Sequence, residues 1–376
     1  MIQPREFYDS LKRRGVGLFA GVPDSLLAPL CATITASATR EGEHIIAANE
    51  GNAIGIAAGY HLSSGKLGVV YMQNSGLGNC VNPLASLTDP EVYRIPMLLI
   101  VGWRGEPGVK DEPQHVKQGK ITEGQLELLG IPFWRLNAKS NPEEILDKAF
   151  DALREKSAPV AILVQKGTFV EPKGSGESTR SNLSPMTRES AINAICASVG
   201  ASDLLVSTTG KTSRELFEVR KARGESQRDF LTVGSMGHTL SIALGVALGN
   251  TKKRVVCLDG DGSLLMHMGA LPVTAAVHPK NLTHILLNNG AHESVGGQPT
   301  IADRVDFQKL ATACGYTRYF RADSLETLDH VLSEARKADG PLLVEVRVAL
   351  GSRADLGRPT STPEQNKMSF IEAARG

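Results

Sequence analysis

The residues best suited to chemistry are Asp259-Gly260-Asp261-Gly262-Ser263 and Asn288-Asn289-Gly290. Each cluster closes an apolar run, Arg254 to Leu258 and Thr283 to Leu287, and a helix-like segment lies between them. The pattern predicts a strand–helix–strand unit with a carboxylate and a carboxamide at the ends of two consecutive strands. In an open parallel sheet both ends face one crevice, where ligands bind. Asp and Asn offer oxygen to Mg²⁺, which takes few protein ligands and completes its shell with phosphates and water. Gly260 and Gly262 let backbone N–H groups approach a phosphate at the helix start. The stretch reads as a Mg²⁺–diphosphate anchor. The competing reading is a turn that binds nothing; the flanking strands, a spacing of about 28 residues and the polar tail AHESVGGQ weigh against it.

A second carboxylate, Glu50, sits in Ala47-Ala48-Asn49-Glu50-Gly51-Asn52, after an apolar strand and at the head of an Ala/Gly-rich helix. Two readings are open. The charge favours a helix N-terminus, or the carboxyl group is buried with a raised pKa.

The elements that must position these groups follow from patterning. Strands are expected at Val16–Ala20, His44–Ala48, Leu67–Met72, Met97–Val101, Phe133–Leu136 and Val160–Val164, with helical runs between them. The second half repeats the alternation at Asp203–Ser207, Phe230–Val233, Val255–Leu258, Thr283–Leu287, Thr317–Phe320 and Leu342–Val346. Helical runs are expected at Arg188–Val199, Met236–Gly249, Gly269–Val277, Phe307–Cys314 and Ser324–Ala338. Repeated βα units argue for two doubly wound parallel-sheet domains of α/β class. The stretch 171–187 is polar and rich in Gly, Ser and Pro, and reads as a linker between domains 1–170 and 188–376. The tail from Ser352 is polar and is expected to pack loosely.

Composition excludes several classes. The 376 residues suit two domains, and a net charge of +1 with 5% aromatics leaves no nucleic-acid or membrane field to interpret. No run approaches the roughly 20 apolar residues of a membrane span, and the N-terminus lacks a signal-peptide pattern. The five cysteines are scattered without CxxC spacing, which suits free thiols in a reducing cytoplasm. A nicotinamide dehydrogenase would need GxGxxG after an early strand, and Gly21-Val22-Pro23-Asp24-Ser25 does not supply it.

Taken together, GDG followed by NN, with GVPDSLL, ANEGNAIGIAAGYHL, YMQNSGLGN, GWRGEPGVKDEPQHVKQG, GKTSREL, VGSMGH and NNGAHESVGGQPT, resembles the thiamine diphosphate-dependent decarboxylases. The resemblance covers almost the whole chain and is to the short form that lacks a middle domain. It implies a pyrimidine-binding first half and a diphosphate-binding second half. It implies that Asp261, Asn289 and the Ala291 carbonyl bind Mg²⁺, with Asn288 as the alternative if register differs. Gly260, Gly262 and Ser263 would line the diphosphate. Glu50 would meet N1′ of the aminopyrimidine, Gly234 would receive its amino group, and Met236 would wedge the bent cofactor. Proton-transfer candidates are His115, in the loop after Trp103, and His292, with Glu293 as a rival; a histidine titrates near working pH.

The implied substrate is a phosphonate 2-oxo acid, 3-phosphonopyruvate, losing carbon dioxide to give phosphonoacetaldehyde in phosphonate biosynthesis. A sulfonate analogue is the alternative substrate, and a catalytically silent, cofactor-binding regulatory homologue the alternative role. Substrate contacts are expected from the turns carrying Asp24, Ser25, Gln73 and Asn74. Cations for the distal anion are expected from Arg104, Lys110, Lys211 and Arg214; pairing on a solvated surface is the competing reading for the first two. The family also implies a homo-oligomer, at least a dimer, with active sites between subunits.

Overall fold

The computed structural model describes residues 1–171, 184–295 and 297–376, and most of the expected linker lies outside them. Two compact units emerge, Met1–Ser178 with Ser294–Gln298 and Thr179–Glu293 with Pro299–Gly376.

In the first unit six strands, β1 (Val16–Gly21), β2 (His44–Ile46), β3 (Leu67–Gln73), β4 (Leu98–Gly102), β5 (Phe133–Leu136) and β6 (Val160–Val164), form a sheet of order β2-β1-β3-β4-β6-β5. Every pairing is parallel. Strands β1, β4 and β6 are buried throughout, as expected of a sheet covered on both faces. Along β3 the side chains alternate between two cores. Val69 and Tyr71 join Phe7, Leu30 and Phe150 on one face, while Val70 and Met72 join Ile54 and Ala57 on the other. The register sets Gly21 beside Tyr71 and Gln73 beside Gly102, so the strand ends form one edge.

The second unit holds β7 (Leu204–Ser207), β8 (Phe230–Leu231), β9 (Val255–Gly260), β10 (Leu282–Asn288), the two-residue strands β11 (Ala291–His292) and β12 (Gln298–Pro299, whose Gln298 belongs to the first unit), β13 (Arg318–Ala322) and β14 (Leu342–Arg347). Its six-stranded sheet runs β13-β14-β10-β9-β7-β8, again parallel. Read from the other side this is the strand plan of the first sheet. All twelve expected strands occur, with shifts of a few residues at their ends.

Three expectations need correction. The helix expected from Met236 begins at Thr239, because Gly234, Ser235 and Gly237 have φ of 75°, 49° and 89°, which no right-handed helix accepts. His115 lies in the first turn of the helix Pro113–Leu128, not in a loop; Pro113 at the first turn is a helix-start signal. The tail is not loose. Pro363–Arg375 is a helix opened by a Thr362/Gln365 capping box, and buried Asn366 ties it to the edge strand β8. Its amide accepts from Leu231 N (3.1 Å) and donates to Asp229 O (2.8 Å).

The cysteines are free: Cys31, Cys80, Cys196 and Cys257 are buried and Cys314 is partly exposed. Among the described residues no helix is long and apolar enough to cross a membrane.

Candidate functional site

In the first unit the ends of four adjacent strands deliver the expected side chains. Glu50 starts the helix Glu50–Ser64, capped by Asn49, whose side chain accepts from Gly51 N at 2.8 Å. Both readings of this residue hold at once, since Glu50 occupies a helix N-terminus and is also buried, 5% exposed. Burial raises its pKa, against the Asn79 amide, which donates to Oε2 at 2.7 Å. A Cβ at position 76 would lie 2.5–2.6 Å from the Glu50 side chain, so only glycine there leaves the carboxyl its place.

Beyond β1, Asp24 is fully buried and its pKa is pushed up to about 6 by burial, with Arg104 and neighbouring backbone N–H groups opposing. Oδ2 accepts from Leu26 N at 2.9 Å, while Oδ1 has no hydrogen-bond partner among the described residues. Arg104, just beyond β4, is held by Asp111 through Nε (2.8 Å) and Nη2 (2.5 Å), and its Nη1 donates to Ser25 Oγ at 2.8 Å. The Asn74 amide clamps the Arg104 backbone, donating to its O at 2.8 Å and accepting from its N at 3.2 Å. The structure thus brings Asp24, Ser25, Asn74 and Arg104 together, with Asp111 as orienter. The Arg104–Asp111 pair is half-buried, not solvated. Gln73 donates to Ser75 Oγ at 2.6 Å, and Lys110 is exposed.

His115 is buried, with Nδ1 lacking a hydrogen-bond partner among the described residues. Burial, then repulsion from Arg104, lowers its pKa to about 4. Burial does the same to His292, also to about 4. Burial thus holds both imidazoles toward their neutral form, below the usual histidine range.

In the second unit β9 runs into the helix Asp261–Met266. Asp261 is 2% exposed, and burial pushes its pKa to about 6 although Thr300 Oγ1 and the Asn289 backbone hydrogen-bond it. A buried carboxylate oxygen of this kind could ligate a hard cation. The Ser263 hydroxyl joins the GDGS turn to two loops, contacting Thr208 Oγ1 and accepting from Gly237 N, each at 3.2 Å. Gly234 N donates to Thr209 Oγ1 at 2.9 Å. A Cβ at Gly262 would lie 3.1 Å from the His292 ring and 3.3 Å from Met236 Cε, so Gly262, Met236 and His292 line one narrow space; Gly260 precedes it at the strand end.

Of the two asparagines, Asn288 spends its amide on Glu345 (2.8 Å) and is buried. Asn289 is only partly buried. It accepts from Ala291 N at 3.1 Å and donates to Glu293 Oε2 at 2.9 Å. Glu293 also receives Lys211 (2.7 Å) and Arg188 (2.8 Å). Burial works against its charge, but these cations hold its pKa below the usual carboxylate range. Arg214 donates to the backbone carbonyls of Leu356 and Gly357 and so tethers the C-terminal segment. Arg188, Glu215 and Thr300 were not foreseen; nothing in the linear pattern marks them.

Residues 5–127 match the thiamine pyrophosphate enzyme N-terminal TPP binding domain, and residues 208–346 its C-terminal TPP binding domain. The chain is 38% identical to a phosphonopyruvate decarboxylase of Streptomyces hygroscopicus, over all of this chain and 94% of that protein. The chain belongs to the thiamine diphosphate-dependent decarboxylase family. A phosphonopyruvate decarboxylase of Streptomyces viridochromogenes is 39% identical over 98% of this chain and 94% of its own length. A sulfopyruvate decarboxylase of Methanosarcina acetivorans is 30% identical over 87% of this chain and 86% of that protein. The enzyme is therefore a homologue of phosphonopyruvate decarboxylase with two thiamine diphosphate-binding domains. Asp24, Glu50, Asn74, Arg104 and His115 fall within the first matched region, and Gly234 through His292 within the second.

Proposed function

We propose that this enzyme decarboxylates 3-phosphonopyruvate to phosphonoacetaldehyde, with thiamine diphosphate and Mg²⁺ bound. The observation that carries the reading is the whole-chain identity of 38–39% to two phosphonopyruvate decarboxylases, against 30% to the sulfopyruvate enzyme. In this reading residues 1–170 form the pyrimidine-binding domain and 188–376 the diphosphate-binding domain.

The buried Asp261 carboxylate, the Asn289 carboxamide and the Ala291 carbonyl suit Mg²⁺. The N–H groups of the GDGS turn, at a helix start, suit a diphosphate. When bound, thiamine diphosphate supplies a nucleophilic carbon for the 2-oxo group and an electron sink for the bond that breaks as carbon dioxide leaves. The chain's own residues do the rest. Glu50, whose burial favours its protonated form, would hold a proton toward the pyrimidine nitrogen N1′ of the bound cofactor. Gly234 and Met236 hold the cofactor's shape. Arg104, aimed by Asp111, offers a fixed guanidinium to the distal anion with the Ser25 hydroxyl beside it. His115 and His292, both neutral, serve as hydrogen-bonding and proton-relay groups. Lys211 is bound to Glu293, Arg214 to carbonyl groups and Arg104 to Asp111 and Ser25; Arg104 is preferred because its planar fork has five N–H donors, more than these bonds use, beside the Ser25 hydroxyl.

The minimal active assembly is a homodimer with sites formed between subunits, working in a reducing cytoplasm that keeps the thiols free. The test is carbon dioxide release from phosphonopyruvate and sulfopyruvate, each with and without thiamine diphosphate. Cofactor-dependent preference for phosphonopyruvate is expected. Preference for sulfopyruvate overturns the substrate, and no turnover of either acid favours the silent homologue.

A further inference from the structure

Glu293 is the meeting point of three other side chains. Oε1 accepts from Lys211 Nζ (2.7 Å), and Oε2 accepts from Arg188 Nη1 (2.8 Å) and Asn289 Nδ2 (2.9 Å). Arg188 cannot swing away. It heads the helix Arg188–Ser198 and is locked to Glu215 by two parallel bonds, Nε to Oε2 (2.7 Å) and Nη2 to Oε1 (2.9 Å). Arg188 and Glu215 are only 7% and 1% exposed. Two cations meet two carboxylates, so the group is neutral overall.

Buried ion pairs stabilise little compared with apolar packing. What this one provides is geometry. An ionised carboxylate only accepts hydrogen bonds, whereas a carboxamide has one accepting and one donating end. Glu293 therefore decides which way round the Asn289 amide sits. The nitrogen must face the carboxylate, and the oxygen is left at the other end, where it accepts from Ala291 N at 3.1 Å with a lone pair to spare. The same Asn289 contributes its backbone to the hydrogen bonding of Asp261.

We propose that Glu293, anchored by Arg188 and Lys211, is a positioning residue that presents the Asn289 carboxamide oxygen to the divalent cation. This inference rests on the reading of Asn289 as a metal ligand. It replaces the expectation that Glu293 transfers protons, since an anion held by three donors is a poor acid.

The test titrates Mn²⁺, a paramagnetic probe, into the full-length protein with saturating thiamine diphosphate and follows free Mn²⁺ by electron paramagnetic resonance. Glu293→Gln keeps the shape but can present a donor to Asn289. Its Mn²⁺ dissociation constant should rise about 10- to 100-fold, the usual effect of losing an outer-shell partner. Lys211→Met removes one anchor at the partly exposed edge and should weaken binding less, in the same direction. Asn289→Ala separates the two readings. If it weakens Mn²⁺ while folded Glu293→Gln and Lys211→Met both bind as the wild type does, the positioning role is overturned and the ligand stands. If Asn289→Ala leaves Mn²⁺ affinity unchanged, the ligand assignment falls and this inference with it. Should Glu293→Gln fail to fold, unchanged affinity in Lys211→Met overturns the proposal. A purely structural role would lower thermal stability and leave the Mn²⁺ constant alone.

Discussion

At the scale of single residues, the candidate site is built from buried acids kept away from water. Asp24 shows the consequence. Its pKa is raised from 3.8 to about 6, so between those values the folded chain keeps a proton that the unfolded chain releases. Stability therefore falls as pH rises through that window, by about 3 kcal/mol if this group acted alone. Arg104 faces Asp24 and opposes the shift in part, and Cys31 nearby stays neutral. Asp24→Asn should match the wild type near pH 4 in urea unfolding and exceed it near pH 7.5. A difference already full at pH 4 would contradict the assignment. Glu50→Gln keeps the volume and removes the acid. Turnover should drop about 10²- to 10⁴-fold, the range for a lost proton-transfer group, while thiamine diphosphate still binds by calorimetry. Unchanged turnover would remove Glu50 from the chemistry.

Elements explain what patterning could and could not reveal. Buried parallel strands are written as apolar runs bounded by Gly, Asp and Asn, so β1, β4, β6, β9 and β10 were legible, and so were the acids at their ends. The helix Pro363–Arg375 was not, because scattered contacts attach it in place of an apolar stripe: Asn366 on β8, Asn250 and Lys253 on the carbonyls of Ala374 and Ala373, and Phe370 against Phe230 (5.5 Å between ring centres). Thr300 and Arg188 stayed hidden for a related reason. Their partners Asp261 and Glu293 lie 39 and 105 residues away in the chain, and only tertiary packing brings them together. Two element-scale outcomes follow. Asn366→Ala leaves Leu231 N and Asp229 O buried without partners and should cost about 1–3 kcal/mol in urea unfolding. It should also weaken thiamine diphosphate binding, because only Thr232 and Val233 separate β8 from Gly234. Gly76→Ala sets a methyl group against Glu50. Activity should fall about as far as in Glu50→Gln, with the far-ultraviolet circular dichroism spectrum unchanged.

For the whole molecule, two sheets of one strand plan divide the labour, with Glu50 in one unit and Asp261 in the other. If subunits share sites, inactive Glu50→Gln and Asp261→Asn chains should rescue each other. After random exchange half the dimers are mixed and one of two sites in each is intact, so about a quarter of wild-type turnover should return. No recovery on mixing would mean that each chain completes its own site. The distribution of thiols gives the molecule one more property. Cys31 and Cys80 are sealed in the first unit, Cys196 and Cys257 in the second, and burial raises the pKa of all four. Only the thiolate reacts. A thiol-specific dye should tag the partly exposed Cys314 first and reach each buried pair only when its own half opens. The wild-type chain is thus its own labelling standard, and mass spectrometry of the two pairs over time would read how often each half breathes.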